Sequence, residues 1–477
     1  MAPKPRRNIF YPCNEIYSNS PAGFYDYGPI GLKIKNNIIE FWRKELLESF
    51  DALEIDGCQI LPEPIFKASG HLDSFYDPVV KCSKCGLFYR VDKLLESKVE
   101  VGEKTDLNVL DNLIKEHNLK CEKCKSNFEK SFHFNMMFKL NVGVGANNSA
   151  YLRPEACQNI FLDFLRIYKG SRRNLPLAIA QIGKAFRNEI SPRNGLLRTR
   201  EFSQMDIEFF FDPEEINNFS LEEYYNLQIP VKLVNSKKEQ EFFTLKELLY
   251  KKIFKYGVEA YCIAKNYAFF TKIGFLPKDI RYREVSPEDR AFYSLATWDL
   301  EVKSEDSWVE LMANNYRTNH DLSGHQKESK TSLEVLSNEK KVLPHIFEMS
   351  MGTDRLFYCL LSNALSTLND KSVLKLNSYI APYNFAIFPL VNKDNIDKLA
   401  ENLYENLRTK YKVIYDDKGS IGKRYARIDE IGVRYAITID YDTKEKEILT
   451  IRDSWTTEQE KVSLKDLNKK IEELLKK

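Results

Sequence analysis

Residues 177–211 constrain the fold more than any other stretch. Leu177 to Phe186 is an apolar run with small residues, which suits a strand. It leads through Arg187-Asn188-Glu189 into the loop Ser191-Pro192-Arg193-Asn194-Gly195 and returns through Arg198-Thr199-Arg200-Glu201-Phe202. The return limb alternates: Ser203, Met205, Ile207 and Phe209 face one way, and Gln204, Asp206 and Glu208 the other. The spacing predicts an antiparallel hairpin with one polar face. Five basic residues and one acid, Glu189, lie between Lys184 and Arg200. Guanidinium pairs phosphate through two parallel hydrogen bonds, so the cluster suits a polyphosphate. For any single Arg, a solvated loop is the alternative.

A second stretch runs over 344–361. Glu348 and Ser350 share one face of an otherwise apolar strand, Gly352 breaks it, and Arg355 falls in the first turn of an apolar helix. A buried carboxylate is unstable unless paired. The partner is either a cationic ligand such as an α-amine or a structural arginine.

Elsewhere, Ile34, Ile38, Phe41, Trp42, Leu46 and Leu47 predict an amphipathic helix over 30–50, followed by a strand from Cys58 to Leu61. Gly143, Gly145, Asn147 and Asn148 mark a loop. Residues 214–290 are Lys- and Tyr-rich and are expected to form a helical insertion, centred on 241–265. From 378 onward strands and helices alternate. Strands are expected at 385–390, 412–415, 434–440 and 447–452, and helices at 394–409, 419–430 and 464–476, a mixed α/β domain. The lysines of the tail suit a solvated helix face. His320 and His325 flank Asp321 without carboxylate spacing for a metal, and His345 reads as a packed strand residue.

Four of the nine cysteines fall as Cys82-x-x-Cys85 and Cys121-x-x-Cys124. That spacing predicts one closed, structural zinc site in a reducing compartment rather than a disulfide scaffold. The 35 residues between the pairs exceed the usual ribbon spacing, and four unliganded thiols are the alternative. With 71 basic and 69 acidic side chains in 477 residues, the formal charge of +2 excludes binding by bulk positive charge. Apolar residues make up 43%, enough for a large core, but no run approaches the ~18 residues a membrane span needs. The start, Met-Ala-Pro-Lys-Pro-Arg-Arg, lacks the apolar core of a signal peptide. The expected location is cytoplasmic.

The stretches 177–211 and 344–361 resemble the second and third signature motifs of class II aminoacyl-tRNA synthetases, and the helix 30–50 with Pro62 or Pro64 resembles the first, dimer-forming motif. The likeness is closest to the homodimeric glycyl-tRNA synthetase family. It is carried by Tyr27-Gly28-Pro29, Lys67-Ala68-Ser69-Gly70-His71, Arg153-Pro154-Glu155, Ala185-Phe186-Arg187-Asn188-Glu189, Arg200-Glu201-Phe202-x-Gln204-Met205, Trp308-x-Glu310-Leu311 and Asp416-Asp417-x-Gly419-Ser420-Ile421-Gly422-x-Arg424-Tyr425. It covers about 8–460 and is weakest over 214–280.

The resemblance implies an α+β fold. A class II antiparallel-sheet catalytic core spans 1–375, with a Cys-rich zinc-knuckle insertion at 81–140 and the helical insertion at 214–290. A mixed α/β anticodon-binding domain spans 376–477. It also implies ATP-dependent ligation of glycine to its tRNA through glycyl-adenylate. Arg187, Glu189 and Arg355 are the catalytic residues. Arg187 holds the α-phosphate, Glu189 the adenine amine, Arg198 and Arg200 approach the phosphates, Phe202 stacks on adenine, and Arg355 clamps the far phosphates. Asn188, Leu197, Thr199, Glu201, Leu311, Gly352, Thr353 and Asp354 complete the ATP site, and Glu310 carries magnesium. Glu155, Glu348 and Ser350 surround the glycine amine, and Gln204 and Asp206 form the floor. Arg90 and Arg283 meet the carboxylate, and Phe202, Ser203, Met205, Met349, Met351 and Gly352 line the pocket.

The partners implied are ATP, glycine, glycine tRNA and a second copy of the chain, with no membrane and no DNA. In the anticodon domain, Asp416, Asp417, Asp429 and Glu430 offer acceptors for cytosine amines, and Tyr415, Tyr425 and Arg424 offer stacking; the alternative is that these acids cap helices and turns. Two alternatives stand beside the main reading: another class II enzyme with the same C-terminal domain, prolyl- or threonyl-like, and a non-catalytic polymerase accessory subunit of the same ancestry.

Overall fold

The computed structural model describes residues 9–476 apart from 97, 100, 102–104, 145–147, 191, 193–194, 306 and 369. The loop expectations at Gly145, Asn147, Ser191, Arg193 and Asn194 lie outside the described residues. Alternation in the hairpin builds the centre of a nine-stranded sheet. Its strands, in chain order, are β1 (Leu53–Ile55), β2 (Leu177–Phe186), β3 (Glu201–Phe211), β4 (Gln228–Lys232), β5 (Glu241–Thr244), β6 (Ile280–Glu284), β7 (Ala296–Ser304), β8 (Ser307–Thr318) and β9 (His345–Gly352). Their spatial order is β5-β4-β6-β7-β8-β9-β3-β2-β1. β1 runs parallel to β2 and β4 parallel to β6; the other pairings are antiparallel.

The period of two in β3 sends its residues into two different cores. Met205, Ile207, Phe209 and Phe211 join Met349 and Met351 of β9 in the larger one. Packed there are helices α1 (Pro29–Trp42), α3 (Gly257–Ile273) and α5 (Thr353–Ala364), with Pro29 at the first turn of α1, where its missing N–H is harmless. The helical path of α1 continues through a wider turn at Arg43–Leu47 and a tight one at Glu48–Phe50, so the whole of the expected 30–50 element is helical. On the opposite face Phe210 and Ile346 pack against α2 (Gln158–Ser171) and α4 (His320–Ser329). Beyond Phe210 that face turns polar, with Glu208, Asp206 and Gln204 in succession.

Two expectations are corrected. Residues 214–290 are only partly helical: beside the helix Leu245–Tyr250 and α3 they supply β4, β5 and β6, which widen the central sheet. α3 is buried on nearly every side, so it has no polar stripe to announce its period. The strand at Cys58 lies slightly later, at Ile60–Pro62, where it pairs through one edge only. Residues 76–135 form a satellite lobe with strands Tyr76–Lys81, Phe88–Arg90 and Phe132–Asn135.

The C-terminal part has its own sheet and core. Strands β10 (Phe385–Pro389), β11 (Val413–Tyr415), β12 (Tyr435–Ile439), β13 (Ile448–Asp453) and β14 (Gln459–Ser463) lie in the order β11-β10-β12-β13-β14. Helices Ile396–Leu407, Ile421–Ile431 and Leu467–Leu475 match the sequence expectation within a few residues, whereas β14 was missed. Leu374, Leu376, Ile380 and Ala381 belong to the larger core of the first part, so that core reaches beyond 375. No helix among the described residues is long and apolar enough to cross a membrane.

Candidate active site

Where β9 gives way to α5, the polar face of β3 forms three rungs: Gln204 opposite Gly352, Asp206 opposite Ser350, and Glu208 opposite Glu348. Below them Phe210 and Ile346 close the core. A directed chain orders the upper rungs. Ala156 N–H donates to Gln204 Oε1 (3.0 Å), Gln204 Nε2 to Ser350 Oγ (3.1 Å), and Ser350 Oγ to Asp206 Oδ1 (2.7 Å). Asp206 Oδ2 is buried without a partner. Burial pushes this carboxyl up to about 8, with Glu348 and Glu155 adding to the rise and Ser350 and Arg153 opposing it. An ammonium placed here would favour the ionised carboxylate and so make this oxygen an acceptor.

Glu155 approaches from the loop before α2. Arg153 pins that loop by donating to Lys184 O (2.8 Å), Gly57 O (3.1 Å) and Asn159 Oδ1 (2.9 Å). It crosses β2 at Gly183, where a Cβ would come within 1.9 Å of its guanidinium. Burial alone would raise the Glu155 carboxyl, but His71, Arg317 and Arg187 together hold it well below the usual carboxylate range. The site therefore holds one fixed anion, Glu155, beside a proton-holding acid, Asp206.

Glu348 takes the structural alternative. Its two oxygens accept from Arg317 Nη1 (2.8 Å) and Asn315 Nδ2 (2.7 Å), and Arg317 also grips Asp321 (2.7 and 2.8 Å), all fully buried. Glu348 is thus not a free carboxylate for an amine. Arg317 went unnoticed in the sequence. The sequence signals only that a buried Glu demands a cation; that Arg317 supplies it follows from β8 lying beside β9.

The cationic side chains lie along the hairpin and the start of α5. The Arg187 guanidinium lies between the rings of Phe75 and Phe202 (5.3 and 5.4 Å) and donates from Nε to Pro154 O (3.1 Å). Arg198 holds Glu189 through Nε and Nη2 (2.7 and 2.6 Å). Arg200 donates to Glu189 O (3.0 Å), and Arg355 donates to Leu197 O (3.1 Å) and lies 3.6 Å from Glu310. Lys184 pairs with Glu201 (3.1 Å) at the mouth of the hairpin. The backbone of Asn188 donates to Met136 O, Thr199 is buried, and Thr353 Oγ1 is buried without a partner.

Several expected contacts are corrected. Met205, Met349, Met351 and Leu311 lie in the larger apolar core, on the face turned away from the pocket; the period of two forbids them the other side. Ser203 faces the same way, its Oγ accepting from buried Lys35 (2.8 Å). The Asp354 carboxylate accepts from Lys35 (2.8 Å), Tyr27 OH (2.5 Å) and Ser203 N–H (2.6 Å), so it ties α5 to α1 and β3 rather than reaching a nucleotide. Arg283 is paired with Asp299 and Glu301, and Arg90 with Asp77 (3.0 Å) and Asp92 (2.7 Å), so neither stands free for a carboxylate. Four of the anticodon candidates are also committed. Asp429 forms a buried pair with Arg452 (2.8 and 3.0 Å), Asp416 pairs with Arg427, Arg424 donates to Gly419 O, and Tyr425 OH meets Thr438 Oγ1 (2.8 Å).

The four paired cysteines fit a metal by geometry. The four sulfurs of Cys82, Cys85, Cys121 and Cys124 lie within 4.8 Å of one another, with 3.3 Å between Cys82 and Cys124 and 3.5 Å between Cys85 and Cys121. That is close to the edge length of a tetrahedron with Zn–S bonds of about 2.3 Å. Near Arg355, Glu310 is joined by Asp299, which sequence reading missed. Burial, with Glu310 and Glu301 beside it, pushes Asp299 up to about 8 although Arg283 and Arg355 oppose the rise. Such an anion surplus suits a hard cation bridging to phosphate.

Compared with known proteins, residues 138–364 match the tRNA synthetase class II core domain (G, H, P, S and T), and residues 384–474 match an anticodon binding domain. Glycine–tRNA ligase of Pyrococcus abyssi is 36% identical, with 98% of this chain and 97% of that protein aligned. The glycine–tRNA ligases of Methanococcus vannielii (96% and 96% aligned) and Methanocaldococcus jannaschii (99% and 97%) are each 32% identical. The alignment with the Pyrococcus protein runs over 557 positions, more than the 477 residues of this chain, so that relative carries internal segments this chain lacks.

Proposed function

The chain belongs to the glycine–tRNA ligase family, and from that premise we propose how its residues divide the work of ATP-dependent glycine activation and transfer. The glycine carboxylate attacks the α-phosphorus of ATP, pyrophosphate leaves, and glycyl-adenylate forms. The terminal ribose hydroxyl of tRNA then attacks the carbonyl carbon, and AMP leaves.

Arg187 holds the α-phosphate, and the two rings around its guanidinium fix its plane beforehand. Phe202, one of those rings, carries adenine on its other face, and Glu189, steadied by Arg198, accepts from the adenine amine. Arg355 and Arg200 meet the remaining phosphates. Magnesium, held by Glu310 with Asp299, would neutralise charge on the leaving pyrophosphate.

The observation that carries the glycine assignment is the unpartnered Asp206 oxygen beside ordered Ser350 and charged Glu155. An ammonium completes that set. Glu348 acts behind it by holding Arg317 in place. Glycine is chosen by exclusion, because nothing can attract an absent side chain. Structural zinc belongs to the four cysteines. We also propose that two copies associate through the α1 region, and that the boundary between catalytic and anticodon-binding domains falls just after Ala381.

Amino-acid-dependent pyrophosphate exchange across all twenty amino acids tests the reading. Glycine alone should support exchange, and Arg187→Ala should lower it by about 10²–10³ without unfolding the chain. Equal exchange with alanine or proline, or an unaffected Arg187→Ala variant, would overturn it.

A further inference from the structure

The segment Lys67–His71 stood out in the sequence, yet the reaction as described makes no use of it. In the fold it is gripped from both sides. Gly70 has φ +80°, and a Cβ there would come 3.0 Å from the Phe292 ring. On the other side, Gly324 lets α4 approach so closely that a Cβ would lie 2.2 Å from Ala68 O. A loop held this tightly delivers its last residue to a fixed place.

That residue is His71, fully buried against Phe66, Phe75 and Phe292. Its Nδ1 lies 2.8 Å from Ser69 Oγ, itself buried, and its Nε2 lies 3.3 Å from Glu155 Oε2. The second contact decides the tautomer. A bare nitrogen lone pair facing a carboxylate would be repulsive, so Nε2 carries a proton, and in the neutral ring Ser69 donates to Nδ1. Donation then runs from Ser69 to His71 and from His71 toward Glu155. Gln158 Nε2 (3.3 Å) and Cys157 Sγ (3.6 Å) meet the same Glu155 oxygen. Two donors thus hold Oε2, and His71 Nε2 stands 3.3 Å from the same oxygen as a third. The His71 contact is long and off-line as it stands, the geometry of a bond that tightens once an amine draws the carboxylate forward.

We propose that His71 is a positioning residue for the glycine amine, orienting the Glu155 carboxylate through Nε2 while Ser69 fixes the ring; the proposal rests on the assignment of Glu155 to that amine. His71 is not a catalytic residue, since it touches no reacting atom. Its place on Phe75, the ring beneath Arg187, also links the glycine and ATP halves of the site.

The experiment uses two variants that lose the ring equally and differ in the nitrogen they keep. His71→Gln presents an amide nitrogen near the Nε2 position, and His71→Asn presents one near Nδ1 only. In pyrophosphate exchange with the full chain, His71→Asn should raise the glycine KM about tenfold over His71→Gln. The two should share one kcat and one ATP KM. Equal glycine KM values in the two variants would overturn the proposal, because a packing role moves both alike. If either fails to fold, Ser69→Ala keeps the ring and frees it to turn. A roughly threefold rise in glycine KM at constant ATP KM supports positioning; no change overturns it. Wild-type protein in the same assay separates the two levels. Loss of glycine dependence there would overturn the parent assignment, whereas intact wild-type exchange with equal variants overturns only the role of His71.

Discussion

Asp206 lies fully buried below Ser350, one oxygen satisfied and the other not, and its proton affinity follows from that placement. Burial lifts the carboxyl from 3.8 to about 8. Across that window the folded chain keeps a proton that the unfolded chain releases, so stability falls as pH rises toward 8 and levels above it. Buried Glu208 is raised in the same sense and shares the slope. Asp206→Asn should therefore unfold later than wild type at pH 8, by at least ~1 kcal/mol, and the difference should vanish near pH 4. Chemical denaturation at the two pH values checks it. The same substitution should raise the glycine KM and flatten its fall with rising pH, because an ammonium favours the ionised acid. How legible this site was in the sequence follows from locality. Asp206, Gln204 and Arg187 could be placed from alternation and charge within one hairpin. Arg317 could not, because its pairing with Glu348 depends on β8 lying beside β9, a fact of topology. Met205 and Ser203 were misplaced for the opposite reason: membership of a motif was allowed to override the period of two.

Among the elements, the satellite lobe of 76–135 combines a small core with the cluster of four cysteines. That core centres on Val80, Val91, Leu95, Leu110 and Ile114, and the four thiols clamp the turns on either side of it. The freshly prepared protein should hold about one zinc per chain, and Cys82→Ser should lose it. Hydrogen exchange should then speed by about tenfold or more across 76–135 while β2 and β3 stay protected. Zinc-free protein with unchanged exchange would show that the lobe stands without metal. The effect on activity should be indirect. The strand Phe88–Arg90 leads from the knuckle to the Arg90–Asp77 pair, and Asp77, pushed up to about 6 by burial, feels the charges of Glu189 and Arg198. The cysteine spacing showed this element plainly. The strands β4 and β5 stayed hidden because they are only five and four residues long, too short for a period to register.

At the scale of the whole molecule, the two parts meet on α1. Lys412 Nζ donates to Asn37 Oδ1 (2.5 Å), Asn37 Nδ2 donates to Ala381 O (2.7 Å), and Lys33 lies 4.9 Å from the centre of the Tyr383 ring. Helix α1 thus packs into the catalytic core through Ile34, Ile38 and Phe41 and touches the C-terminal domain with its other side. The alternation of strands and helices after 378 made the second domain readable. The seam was harder to read, because Ile380 and Ala381 belong to the first core while Tyr383 packs in the second. A chain ending at Ala381 should therefore stay folded and make glycyl-adenylate at close to the wild-type rate. One ending at 376 loses two core residues and should unfold earlier. Both should charge tRNA at least about tenfold less efficiently, a loss of about 1.4 kcal/mol or more in binding. With Asp429 and Asp416 committed to Arg452 and Arg427, a base must be read by other groups. Asp429→Asn should accordingly lower stability, by leaving Arg452 half-paired in the interior, before it touches codon specificity. Exchange, charging and thermal unfolding measured side by side decide the matter. If the chain ending at Ala381 charges full-length tRNA as well as the intact protein, the C-terminal domain does not read the anticodon.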